Sequence, residues 1–208
     1  MSGDLFGAPD IPGLSFLAGF CRAEEQALIS AGLDVAAAAP FRVMATPGGA
    51  KMSAAITNCG AAGWVSDRRG YRYEPLDPLS GRPWPQMPAL FRDVAVRAAA
   101  AAGFARFDPD VCLMNRYAPG ARMGLHQDRD EADFSAPIVS VSLGLPAVFL
   151  WGGAQRTGPT TRLPLASGDV LVWGARERLY FHGIGPVKAG HHALLGACRL
   201  NLTFRRAL

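Results

Sequence analysis

The sequence predicts a mainly β chain of the α+β kind, with a sandwich or barrel core for which a jelly roll is the natural candidate. Three observations predict it. From Asp110 onward, short apolar and β-branched runs recur at regular spacing. Gly152-Gly153, Ser167-Gly168 and Gly183-Ile184-Gly185-Pro186 punctuate them. Only two segments, both earlier in the chain, read as helical. With 208 residues, half of them hydrophobic and 18% charged, the chain suits one domain with a sizeable core, and disorder along its whole length is excluded. No apolar run approaches the roughly 20 residues of a membrane-spanning helix. Met1 to Phe6 carries an acid and no basic n-region, so no secretory signal is expected.

The elements follow in order. Ala23 to Ala31 is helix-forming and is expected to stop at Gly32. Thr46-Pro47-Gly48-Gly49 is a turn, and Met52 to Thr57 reads as a strand. Trp64, Tyr71 and Tyr73 then sit among Arg68, Arg69 and Arg72, ahead of Pro75, Pro78, Pro83, Pro85 and Pro88. A loop-rich segment of this kind suits a contact surface, or equally a cover over apolar core. Ala89 to Ala102 is the second helix, stopping at Gly103. Strands are expected over Val111 to Tyr117, Pro137 to Leu150 with a Gly-Leu-Pro interruption, Arg162 to Leu165, Asp169 to Trp173, Arg178 to Ile184 and Leu194 to Arg205.

Net charge is +4, and 19 of the 21 basic residues are arginines, since only Lys51 and Lys188 are lysines. Arginine suits bidentate contact with phosphate and carboxylate. The same bias fits a GC-rich genome, so the charge permits a nucleic-acid partner without demonstrating one. Cys21, Cys59, Cys112 and Cys198 show no C-x-x-C pairing and read as buried free thiols in a reducing cytoplasm.

Chemistry enters at His126-Gln127-Asp128. In an extended segment the imidazole and the carboxylate point to the same face, where they can grip one metal. His182, in a strand among Leu179, Tyr180 and Phe181, is the best third ligand, while His191 and His192 fall in a turn and read as surface. Two histidines and a carboxylate form the facial triad of non-haem iron(II) oxygenases, although zinc hydrolases use similar sets. His-x-Asp alone is a weak signal. A second one lies in Arg199 to Arg205, where Arg199, Asn201, Thr203 and Arg205 share one strand face and Leu200, Leu202 and Phe204 the other. That polar face belongs either in water or in a barrel lumen. In a lumen, two arginines need an anion, and a dicarboxylate would satisfy both. Asn115 and Tyr117 share a face of their own strand and offer further hydrogen bonds to the same anion.

The stretches Thr46 to Gly49, Thr57 to Gly60, Arg69 to Tyr71, Asn115 to Gly120, Leu125 to Asp128, Ile138 to Pro146, Gly168 to Val170 and Asn201 to Arg205 together resemble the AlkB family of iron(II)/2-oxoglutarate dioxygenases, from about Phe41 to Arg205. The resemblance implies a single catalytic domain over residues 1–208. A double-stranded β-helix core would occupy about 110–206, with N-terminal helices and a nucleotide-recognition lid over about 41–88. It implies Fe(II) held by His126, Asp128 and His182 as the catalytic and metal residues. The co-substrate 2-oxoglutarate would be bound by Asn115, Tyr117, Arg199, Asn201 and Arg205, with O2 as oxidant. Arg199 would take the far carboxylate and Arg205 the one nearer the metal. For the substrate it implies Trp64 stacking on a flipped base with His126 opposite, Tyr71, Asp130 and Glu131 in the lesion pocket, Arg156 at its border, and Thr46 and Tyr71 on the backbone. Ala50 stands where a well-known bacterial relative has tyrosine.

The implied reaction is oxidative removal of N-alkyl groups from 1-methyladenine and 3-methylcytosine, releasing formaldehyde, succinate and CO2. The expected partner is alkylated DNA, preferably single-stranded, with RNA as a further candidate, handled by a cytoplasmic monomer with no membrane partner. The alternatives are an enzyme of the same chemistry acting on tRNA, protein or a small metabolite, and a binding module that only senses damage.

Overall fold

The computed structural model describes residues 11–208, and the opening hexapeptide discussed above lies outside the described residues. In chain order the elements are β1 (Ser15–Leu17), α1 (Glu25–Ala38), β2 (Ala55–Gly60), β3 (Gly63–Asp67), β4 (Gly70–Glu74), α2 (Ala89–Ala101), β5 (Val111–Tyr117), β6 (Met123–His126), β7 (Ile138–Gly144), β8 (Ala147–Trp151), β9 (Thr161–Leu165), β10 (Val170–Trp173), a 3-10 turn (Ala175–Glu177), β11 (His182–Ile184) and β12 (Arg199–Arg205). A six-stranded sheet runs β1-β10-β7-β12-β5-β2, and a four-stranded sheet runs β6-β11-β8-β9. Together they form a jelly roll. No helix among the described residues is long and apolar enough to cross a membrane.

Burial of β12 explains its alternating sequence. All seven of its residues are buried, because β5 and β7 flank it on both sides. Its apolar face, Leu200, Leu202 and Phe204, joins Leu28, Phe91, Val94 and Val141 in the larger core beneath the two helices. Each such side chain contributes about 1.5–3 kcal/mol on leaving water. The other face carries the polar residues into the space between the sheets.

Several elements differ from expectation for identifiable reasons. Helix α1 does not stop at Gly32 but continues to Ala38. Gly32 is buried there, and a Cβ would lie 3.2 Å from Leu200 Cδ2 and 3.3 Å from Met114 Cε. The glycine serves close packing on the sheet rather than ending the helix. The segment read as a loop around Trp64 and Tyr71 is an antiparallel hairpin, β3–β4, paired from Gly63↔Glu74 to Asp67↔Gly70. Arg72 is held inside this hairpin by Asp67 (3.0 Å) and Glu74 (2.6 Å). Strand β2 lies within the 41–88 segment yet pairs with β5 in the large sheet, and β3–β4 forms a separate two-stranded sheet. The last strands are shorter than expected, since a turn closed by the Tyr180 N–H on the Glu177 carbonyl and a His192–Gly196 turn take up their leading residues. Cys198 is half-buried, unlike the other three thiols, and all four are free.

Gly144 ends β7 with φ +85°, and a Cβ there would meet the Cys198 carbonyl oxygen at 2.5 Å, beside Arg199. Gly144→Ala combines backbone strain with a backbone clash. We expect a loss of about 2 kcal/mol, seen as a melting temperature lowered by about 4–8 °C. An unchanged melting temperature would remove this account of the glycine.

Candidate metal and co-substrate site

Two adjacent strands of the smaller sheet bring the histidines together. His126 ends β6 and lies directly across from His182 on β11. Their ring centroids are 4.4 Å apart. Asp128 lies two residues past the end of β6, outside any ladder, yet its carboxylate reaches both rings. Its Oδ1 is 3.6 Å from His126 Nε2 and its Oδ2 is 3.5 Å from His182 Nε2. One ligand atom from each of the three residues falls within 4.8 Å of the others.

Tautomers follow from the local backbone. His126 Nδ1 is 3.0 Å from the Gly124 carbonyl, and His182 Nδ1 is 3.0 Å from the Tyr180 carbonyl. A carbonyl only accepts, so each Nδ1 carries a proton, and in the neutral ring Nε2 is the atom whose lone pair faces the centre. Burial, then the neighbouring His182, pushes His126 down to about 4, so it stays neutral near pH 7. Burial alone would raise the Asp128 carboxyl, but the Arg205 guanidinium beside it holds it well below the usual carboxylate range. Trp173 and Phe149 wall the His182 side, with ring centroids 4.8 and 5.9 Å from the imidazole. Two imidazoles turning Nε2 toward the centre and an ionised carboxylate suit a divalent ion such as Fe(II).

Beside this triad, the polar face of β12 looks into the same space. Arg199 is 1% exposed. One guanidinium nitrogen donates to Ser142 Oγ at 3.0 Å, and its plane lies over the Tyr117 ring at 5.1 Å. Among the described residues its Nε and Nη1 have no hydrogen-bond partner, and neither do Asn115 Oδ1 and Arg205 Nε. Burial draws the Arg199 guanidinium below its ordinary value and raises the Tyr117 phenol to about 12. A buried cation with two idle donors costs stability unless an anion meets it. The residues therefore fit a small dicarboxylate. Asn201 lies between the two arginines, but its amide is committed to Ser140 Oγ and the Val141 carbonyl, both at 2.9 Å, and its Oδ1 accepts from Thr203 at 3.0 Å.

The expected substrate residues divide. Trp64 stacks on Tyr71 at 5.4 Å, and its indole N–H donates to Asp130 at 2.8 Å. A buried Asn58 clamps the Trp64 backbone through reciprocal bonds of 3.0 and 3.1 Å. Glu131 does not face a pocket that a base could occupy. Its side chain has 0% exposure, and Tyr73, Arg178 and Arg205 surround it because a buried carboxylate needs charged or hydrogen-bonding partners. Thr46 caps its own turn through the Ala50 N–H at 3.2 Å, and Arg156 is exposed on the β8–β9 loop with no hydrogen bond or ion pair among the described residues. Neither is brought into contact with the triad. Arg205 spans the centre, reaching Asp128 Oδ2 at 2.8 Å. Sequence reasoning missed Tyr73 and Arg178, whose only signal was a polar residue inside segments read as loop and strand.

Residues 13–205 match the model of the 2OG-Fe(II) oxygenase superfamily. The chain is 59% identical over 174 residues to the alpha-ketoglutarate-dependent dioxygenase AlkB of Escherichia coli (strain K12), covering 84% of this chain and 81% of that protein. It is 37% identical over 91 residues to the Homo sapiens nucleic acid dioxygenase ALKBH1, covering 44% of this chain and 23% of the human protein. Among solved structures, that of OsALKBH1 superposes with a TM-score of 0.84 at 30% identity, over 96% of this chain and 99% of that one.

Proposed function

The chain belongs to the 2OG-Fe(II) oxygenase superfamily, and on that premise we propose that it removes N-alkyl groups from nucleobases, 1-methyladenine and 3-methylcytosine being the expected lesions. It is an iron(II)- and 2-oxoglutarate-dependent dioxygenase. The observation that carries the reading is the buried Arg199, with two idle donors, opening into the same lumen as His126, Asp128 and His182. A zinc hydrolase has no use for that cation.

When bound, iron with 2-oxoglutarate and O2 supplies oxidation of the N-alkyl C–H bond, so that one oxygen atom enters the alkyl carbon, which leaves as formaldehyde, and the other enters succinate as CO2 departs. The protein supplies position and exclusion. In this reading His126, Asp128 and His182 hold the metal. Arg199 takes the far carboxylate of the co-substrate, with Tyr117 and Asn115 beside it, and the free Nε of Arg205 serves the near one. Asn201 acts by fixing the floor between the arginines. Trp64 offers its face to the flipped base with His126 opposite, Asp130 holds the indole plane, and Tyr71 backs it. A base alkylated on its pairing edge is already partly unpaired, which lowers the cost of extrusion. Its positive charge suits both the indole face and Asp130. Arg68 and Arg129, exposed and without carboxylate partners among the described residues, suit phosphates. Thr46 and Arg156 would line the approach.

The substrate is proposed to be alkylated DNA, single strands preferred because extrusion is cheaper there, with RNA also accepted since a tryptophan face stacks either. Four free cysteines support a reducing cytoplasm, and a monomer suffices for every role named. The test is a panel of methylated single-stranded DNA, duplex DNA, RNA and nucleosides with iron(II), ascorbate and 2-oxoglutarate. Formaldehyde is expected from the methylated strands. Release only from a substrate that is not a nucleic acid would overturn the proposal.

A further inference from the structure

Asp128 presents a mechanical problem. It lies beyond the end of β6, so no ladder bond sets its carboxylate. Two buried arginines grip it instead. Arg178 donates from Nη1 to the Asp128 carbonyl at 2.7 Å, and Arg205 Nη2 meets its Oδ2 at 2.8 Å. Glu131 stands between the two guanidiniums. Its Oε2 accepts from Arg178 at 3.1 Å, and its Oε1 lies 3.3 Å from Arg205 Nη1. The Tyr73 hydroxyl completes the ring by donating to Glu131 Oε1 at 2.7 Å and accepting from Arg205 Nη1 at 2.9 Å. Arg178 also donates to the Ala136 carbonyl at 3.0 Å, which ties down the loop from Asp128 to Ala136. Two carboxylates balance two guanidiniums.

We propose that Glu131, Tyr73 and Arg178 are positioning residues for the metal-binding carboxylate of Asp128 and for Arg205, and that Glu131 acts on metal and co-substrate binding rather than on the alkylated base. The inference rests on the metal reading of His126, Asp128 and His182. Without Glu131 the two guanidiniums lose the anion that separates them, and Arg205 is left to neutralise Asp128 alone. A carboxylate drawn into that pair is a poorer ligand. Without the Tyr73 hydroxyl, Arg205 loses one acceptor and Glu131 one donor, while the ring still packs on Val111 and Ala207.

Anaerobic Co(II) titration of the full chain, followed by d–d absorption, tests this alongside the affinities for methylated and unmethylated single-stranded oligonucleotides measured without metal. Glu131→Gln is expected to weaken Co(II) binding by roughly 10- to 100-fold. Tyr73→Phe should weaken it by about five-fold, the worth of one hydrogen bond. Both should keep the wild-type preference for the methylated strand. If wild type binds Co(II) and both variants match it within two-fold, the inference is overturned, and loss of the methyl preference in Glu131→Gln would return that residue to the lesion pocket. If circular dichroism finds Glu131→Gln unfolded, Tyr73→Phe alone decides by the same criteria. Failure of the wild type itself to bind Co(II) would overturn the underlying metal reading instead.

Discussion

Arg199→Met should make the protein more stable and nearly inactive at once. In the absence of 2-oxoglutarate, the native side chain holds a fully buried guanidinium whose Nε and Nη1 find no acceptor. Methionine fills similar volume without that cost. We expect a gain of about 1–3 kcal/mol, the cost of a buried donor left unsatisfied. Melting temperature should rise by several degrees. The ligand response should move the other way. Wild type with 2-oxoglutarate at 100 times its Kd gains about 2.7 kcal/mol by mass action. In Arg199→Met that shift should disappear and the KM for 2-oxoglutarate should rise at least about 100-fold, as expected when a charge-assisted bidentate contact worth about 3 kcal/mol is lost. Paired thermal melts with and without the diacid check both signs. A variant that melts lower than wild type and still responds to 2-oxoglutarate would contradict the assignment of Arg199.

His126→Ala is expected to eliminate formaldehyde release, by at least about 1000-fold, because groups that act as one unit fail together when any member is removed. The fold should tolerate the change, since the His126 side chain is 34% exposed and its ring makes one hydrogen bond to its own strand. Affinity for a methylated single strand should fall only several-fold. Phosphate contacts supply most nucleic-acid affinity, and Trp64 still offers its face. A formaldehyde assay beside fluorescence anisotropy separates the two effects. Turnover retained at a tenth of wild type would take His126 out of the metal set.

Much of the candidate site was legible in the sequence because it follows simple periodicity. The alternation from Arg199 to Arg205 places both arginines on one face, and the strand's central position turns that face into the lumen. His126 and Asp128 were legible as a spacing, although the reason they meet is different. The strand ends at His126, and Asp128 is steered by side-chain contacts rather than by the pleat. The ring around Glu131 was not legible, because Tyr73, Glu131, Arg178 and Arg205 come from four separate segments that no period connects. Its carboxylate reads on paper like any solvated acid in Asp128-Arg129-Asp130-Glu131. Gly32 misled for a related reason. Whether a glycine ends a helix or lets it approach a sheet depends on what lies opposite, here Leu200 and Met114. The hairpin carrying Trp64 was hidden by its own composition, since glycines and arginines resemble loop until cross-strand partners such as Asp67 for Arg72 are known.

Strand β12 is sewn to a neighbour along both edges, whereas the β3–β4 hairpin forms a sheet of its own, tied to the body by side chains: the Asn58–Trp64 amide clamp, the Ser66 hydroxyl on the Ala45 carbonyl, and Tyr73 on Glu131 and Arg205. The arginines of the lumen therefore sit on a strand laddered on both sides, and the aromatic platform on a two-stranded ribbon outside the large sheet. For an evolving lineage or a protein engineer, this separation matters. The hairpin can be redrawn around Trp64 and Tyr71 to accept a new modified base as long as Tyr73 keeps its bonds to Glu131 and Arg205, whereas one misplaced side chain along the central strand would damage every reaction the scaffold could host.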